Sequence, residues 1–204
     1  SLALLAVLAV LRRFYPNPFT LTAITLDAGY EEMDFSPVAE LCRSLDVPYI
    51  IKKTEIGKIL FDIRKEKNPC ALCAKMRRGA LNDAALAAGC KKVALGHHFD
   101  DAVETFMLSL FYEGRINCFY PVTYLDRRGI TVIRPMLYIP ERQIINFVRR
   151  QELPVVHNLC PADKHTKREE VKSLLRELEH THHDLRERIF GAIQRYPLVG
   201  WKKE

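Results

Sequence analysis

"KKVALGHHFDDAVETFMLSLFYEG", residues 91–114, changes its period in the middle, and that change decides the fold. The first six residues are a short apolar run closing on Gly96, which reads as a strand. From Phe99 onward the apolar residues take helical spacing, until Gly114 ends the run. A strand that feeds through a glycine into a helix is the building unit of an α/β sheet. In open sheets of this kind ligands bind beyond the carboxyl ends of the strands, where Gly96, His97, His98, Asp100 and Asp101 lie. Asp100 or Asp101 could hold a Mg²⁺ that bridges nucleotide phosphates, an ion that takes one or two carboxylates plus phosphate and water. The plainer reading has Asp100 capping the helix.

The same alternation extends in both directions. "TLTAITLD" (20–27) and "PYIIKKT" (48–54) read as strands. Between them "SPVAELCRSLD" (36–46) reads as a helix with a serine cap and Pro37 at its first position. A longer helix runs from Pro69 to about Ala88 and stops at Gly89. Residues 121–136 read as two strands around a turn at Arg127–Gly129, and 140–152 as a helix. From Thr166 the chain is helical and highly charged, with breaks near His180 to His183. These elements predict an open parallel sheet with helices on both faces in residues 1–160, followed by a helical C-terminal extension in 161–204. The opening segment, apolar all round, predicts a helix buried on most of its surface. A domain of this class should open with a strand, so a first strand and a phosphate loop are expected upstream of Ser1, the loop cradling phosphate on helix-start amides.

With 204 residues, 48% hydrophobic and 27% charged, the composition excludes a disordered or membrane-spanning chain. The formal charge of +6 favours a polyanionic partner such as nucleic acid. "SLALLAVLAVLRRF" has no cationic segment before its apolar run, and six cysteines in a chain this size do not form a disulfide scaffold. A cytoplasmic protein with reduced thiols and no membrane partner is expected.

"NPCALCAKMRRGAL", residues 68–81, places Cys70 and Cys73 one turn apart at a helix start, so that both sulfurs share a face. There the helix dipole, with Lys75, Arg77 and Arg78, favours thiolate. "VVHNLCPADKHTKRE" (155–169) adds Cys160 and His157 in a loop. Two inventories follow. Cys70, Cys73, Cys160 and His157 could close a tetrahedral zinc site, as in a zinc-stabilised RNA-binding or scaffold module. The three cysteines alone could hold a [4Fe–4S] cluster with one iron open. Cys42, Cys90 and Cys118 read as packing residues, and His180, His182 and His183 as solvated.

"NPCALCAKMRRG", "ALGHHFDDAVET", "VIRP" (132–135) and "NLCPADKHTKRE", in this order, resemble the TtcA-type branch of the PP-loop ATP pyrophosphatases, the tRNA 2-thiocytidine synthetases and their close relatives. The resemblance runs from Ser1 to about Leu175. It implies an adenine nucleotide alpha hydrolase fold, ATP, Mg²⁺ and tRNA as partner, and it is compatible with a homodimer. It also implies a [4Fe–4S] cluster on Cys70, Cys73 and Cys160, at which sulfur displaces AMP from an adenylated base. Thiolation of another base or a small molecule is the neighbouring reading. The phosphate loop, of the form SGGKDS, is absent; Ser1 matches its last serine. By the same resemblance Leu26, Asp27, Arg78, Gly96 and His97 would face the nucleotide, and Asp101 would hold Mg²⁺.

Overall fold

Gly96 stands two residues past strand β3 (Lys92–Ala94), and helix α5 (Phe99–Leu108) opens three residues later, so the strand-to-helix junction lies where the period changes. The structure, a computed structural model, describes residues 1–30, 33–66, 69–156, 159–162 and 166–196. Among these, the strands form two groups. β1 (Ala23–Asp27) pairs in parallel with β2 (Tyr49–Lys53), from Ala23 opposite Tyr49 to Asp27 opposite Lys53. β3 pairs in parallel with β5 (Ile130–Ile133), and β5 pairs antiparallel with β4 (Val122–Leu125) through the predicted turn, where Gly129 takes φ +62°. No backbone ladder joins β1 to β3. They face each other across a slot of about 360 Å³ lined by Ile24 and Leu26 on one side, Val93 and Gly96 on the other, and by α1 (Leu2–Leu11).

Helix α4 (Pro69–Ala87) spans the slot. Its Ala85 packs into a core with Val93, Ile130 and Val132, joined by Ile24 from β1 and by Leu81. The C-terminal helices α7 (Lys167–Glu179) and α8 (Leu185–Arg195) flank a break at His180–Asp184, and they share one apolar core with α5. Val171, Leu175, Phe190 and Ile193 meet Phe99, Ala102 and Val103 there. Each of these larger side chains contributes roughly 1.5–3 kcal/mol of burial, which fastens the helices to α5. Among the described residues no helix is long and apolar enough to cross a membrane.

Three local expectations are corrected. α1 buries only Ala3, Leu4 and Ala9, while Val7 and Val10 remain 48% and 51% exposed. Its covered face packs on Met136 and on α6 (Glu141–Arg150), and nothing among the described residues covers the outer turn. In α2 (Ser36–Ser44) the N-cap is Phe35 rather than Ser36. Asp34 does the capping work, taking the Ser36 N–H at 2.8 Å. The predicted helix to Gly114 is α-helical only to Leu108. It continues as a π-helical turn over Ser109–Glu113 and closes on Gly114 at φ +62°. A second π-turn, Ile59–Ile63, follows the short helix α3 (Ile56–Lys58).

Candidate active site

Because α4 begins at Pro69, Cys70 and Cys73 fall on its first turns and on one face. Cys160 arrives from the loop after α6. The three cysteines line one cavity of about 200 Å³, walled by Tyr30, Leu60, Phe61 and Arg77. The Tyr30 hydroxyl lies 3.5 Å from Cys73 Sγ. Burial, and hydrogen bonding to Cys73 and Cys160, push its own pKa upward. The thiolate expected at the helix start is not favoured at Cys70. Its thiol is pushed up, first by partial burial and then by the neighbouring Cys160 and Cys73 sulfurs. Burial, with the neighbouring sulfurs behind it, keeps this thiol protonated, so ligation there must release a proton. Among the described residues no three His, Cys, Asp or Glu side chains are preassembled around a single ion position; the three cysteines share the cavity as lining residues. His157 lies outside the described residues.

A second cavity, of about 460 Å³, opens at the carboxyl end of β1 and is lined by Ser1, Thr25, Leu26, Ala28, Tyr30 and Arg77. Asp27 closes the strand. Its Oδ1 takes the N–H of Gly29 at 2.9 Å, and Gly29 has to be glycine at φ +69°, where a Cβ would meet Thr54 O at 2.7 Å. Gly96 brings the start of α1 close: a Cβ there would sit 3.2 Å from both Ser1 Cα and Ser1 N. Leu26 and Gly96, at the ends of strands from the two groups, thus border one opening together with Ser1. Arg77 lines this crevice and the thiol cavity, whereas Arg78 acts on Arg134, adding to burial in lowering that guanidinium's pKa.

His97 is held between Phe119, stacked at 4.8 Å, and Arg134, whose Nε donates to His97 Nδ1 at 3.3 Å. That bond places the imidazole proton on Nε2. Burial, ahead of the opposing pull of Asp101, lowers the His97 pKa to about 4. The folded chain therefore keeps His97 neutral at pH values where an unfolded chain protonates it. Stability conferred by the neutral form is complete above the ordinary value of 6.5 and is lost as pH falls towards about 4, by up to about 3 kcal/mol. His97→Asn, which keeps an acceptor for Arg134, should flatten the pH dependence of unfolding in denaturant over that window. An unchanged slope would show that His97 is not its source.

The cap of α5 expected of Asp100 is made by its neighbour. Asp101, not Asp100, completes the start of α5, its Oδ2 taking the His98 N–H at 3.0 Å. Asp100 instead caps α6, taking the Glu141 N–H at 2.7 Å, and pairs with Arg186 at 3.1 Å. The remaining oxygen of Asp101, Oδ1, has among the described residues only a 3.6 Å approach from Arg168. Arg168 also pairs with buried Glu104 at 2.9 Å and bonds Thr105 at 3.1 Å. The helix that follows Cys160 in the chain is thereby latched to the helix that carries Asp101. Tyr30, Glu104 and Arg186 escape a reading of the sequence, since each acts through a partner far along the chain; Arg77 shows there only as a cation near the two thiols. Cys42 and Cys118 are buried packing residues as expected, and burial pushes the Cys118 thiol up to about 12. His180, His182 and His183 are exposed.

A parallel-sheet crevice at strand ends, next to a cavity lined by three cysteines, is the geometry of a nucleotide-binding α/β protein with a sulfur site, and residues 1–179 match the PP-loop domain family. Among curated relatives, the tRNA-cytidine(32) 2-sulfurtransferase of Citrifermentans bemidjiense is 35% identical over 196 residues, covering 95% of this chain and 77% of the relative. The enzyme of the same name from Geobacter metallireducens is 37% identical over 202 residues, covering 95% and 76%. The chain belongs to the PP-loop family, in the branch of the tRNA-cytidine(32) 2-sulfurtransferases. In three dimensions it is similar to the U34-tRNA thiolase NcsA from Methanococcus maripaludis, solved with its [4Fe-4S] cluster. The TM-score is 0.77 at 24% identity, with 96% of this chain and 67% of that chain covered, a likeness of fold.

Proposed function

We propose that the chain is an ATP-dependent sulfurtransferase that thiolates a tRNA base, of the 2-thiocytidine type, in an adenylation step followed by sulfur transfer. The observation that carries this reading is the adjacency of the two cavities. The crevice at the strand ends and the cavity of the three cysteines share Tyr30 and Arg77 as walls. ATP occupies the crevice, against Ser1, Leu26, Asp27 and Gly96, with His97 and Arg78 at its side. Asp101 offers Oδ1 to Mg²⁺, since its other oxygen is committed to the start of α5.

The donor set of the second cavity suits an iron–sulfur centre: three soft sulfur ligands, from two segments, against the apolar walls of Leu60 and Phe61. Cys70, Cys73 and Cys160 would hold a [4Fe–4S] cluster, which when bound supplies an iron free to present a sulfur nucleophile. A pyrimidine carbonyl oxygen is a poor leaving group. Transfer of AMP from ATP to that oxygen releases pyrophosphate and makes it a good one. Sulfur then forms the new C–S bond as the C–O bond breaks, and AMP departs with the oxygen. Arg77, bordering both cavities, holds its cation where the departing phosphate gathers negative charge. His97, neutral, points an N–H donor and brings no charge of its own.

Anaerobically purified protein should be brown, with about four irons per chain, and should form thiocytidine in tRNA only with ATP and sulfide present. Mass spectrometry of the digested tRNA reads the outcome. A colourless protein holding one zinc, with no thiolated nucleoside, would overturn the reading.

A further inference from the structure

Tyr30 belongs to none of the motifs, yet its ring occupies a built seat. A Cβ on Gly57 would come within 2.6 Å of Tyr30 Cδ1, so only glycine there leaves room for the ring. Gly57 is itself pinned, donating its N–H to Ala28 O at 2.7 Å. Phe61 meets the ring edge to face at 5.9 Å. The seat aims the hydroxyl into the thiol cavity, 3.5 Å from Cys73 Sγ and in hydrogen-bonding reach of Cys160. One side chain therefore touches both segments that supply the sulfurs. A phenol has one proton to give, and a metal-bound thiolate can only accept. Once the cysteines are ligands, the direction of the bond is set: the tyrosine donates.

We propose that Tyr30 is a positioning residue of the sulfur site, whose hydroxyl donates to the Cys73 thiolate beside Cys160 and raises the reduction potential of the centre these cysteines hold. The inference rests on reading the cavity as an iron–sulfur site. A donor at a ligating sulfur draws off negative charge, which favours the more negative, reduced state; hydrogen bonds to sulfur are among the main settings of such potentials.

The test is Tyr30→Phe in the full chain, loaded anaerobically and compared with the parent by iron content and by redox titration followed by electron paramagnetic resonance. Phe keeps the ring in its seat and removes only the donor. Iron content should be unchanged while the midpoint potential moves to a more negative value. Gly57→Ala, which keeps the hydroxyl but evicts the ring, should move the potential the same way. An unchanged potential in a fully loaded Tyr30→Phe protein overturns the inference alone. A parent protein that binds no iron overturns the iron–sulfur reading beneath it, and that shows before any variant is compared.

Discussion

In protein that carries the phosphate loop, alanine at Cys70, Cys73 or Cys160 is expected to abolish thiolation and to take bound iron from about four per chain to near none, with ATP binding unchanged. The cavity offers three sulfurs, two from the first turns of α4 and one from the loop after α6. Removing any one leaves two ligands, too few to retain a cluster against loss to solution. ATP binding should survive because the crevice has its own lining, at Ser1, Thr25 and Leu26, and touches no cysteine. His157→Ala should leave iron and activity close to the parent. Iron assay and calorimetric ATP titration read the two effects separately. If His157→Ala alone empties the site of metal, or if a two-cysteine variant keeps its full iron, the three-cysteine cluster is the wrong account.

Arg168→Met should be the most destabilising single change in the latch between α5 and α7. Glu104 is only 3% exposed, Arg168 holds its Oε2 at 2.9 Å, and its Oε1 has no hydrogen bond among the described residues. Arg186 approaches that oxygen no closer than 3.9 Å. Without Arg168 the carboxylate stays in the core with only the 3.9 Å approach of Arg186, a loss on the order of 3 kcal/mol, at the lower end for a broken buried pair because Arg168 is itself partly exposed. For a chain of this size that lowers Tm by roughly 6–12 °C. Burial already pushes the Glu104 carboxyl up, and losing its guanidinium partner pushes it further, so the loss should be smaller in acid, where the group is neutral. The double variant Glu104→Leu, Arg168→Met should recover most of the lost Tm, since it leaves no charge stranded. If the double variant melts as low as the single one, packing rather than charge is responsible.

What could be read in the sequence was what is local. The junction at Gly96 shows because the hydrophobic period changes within a few residues, and the pairing of Cys70 with Cys73 shows because both lie on one helical turn. Asp100 and Asp101 could not be told apart. Either can cap α5, and the choice is made by the Glu141 amide, which claims Asp100 from forty-one residues further on. Tyr30 is one aromatic in a loop until Gly57 and Cys73 are placed around it. Arg168 and Glu104, in different helices, carry no shared periodicity. An all-apolar α1 does not say which side will be covered, and the π-turn at Ser109–Glu113 uses residues that suit an α-helix equally well.

Helix α4 does two jobs along its length. Its first turns carry Cys70 and Cys73 to the thiol cavity, and further along Ala85 packs on Val93, Ile130 and Val132. A group held by the cysteines binds only while those turns are wound, so by mass action its occupancy adds to the stability of the helix. The same helix closes the core behind β3 and β5. Loading the sulfur site is thereby also a way of tightening the sheet.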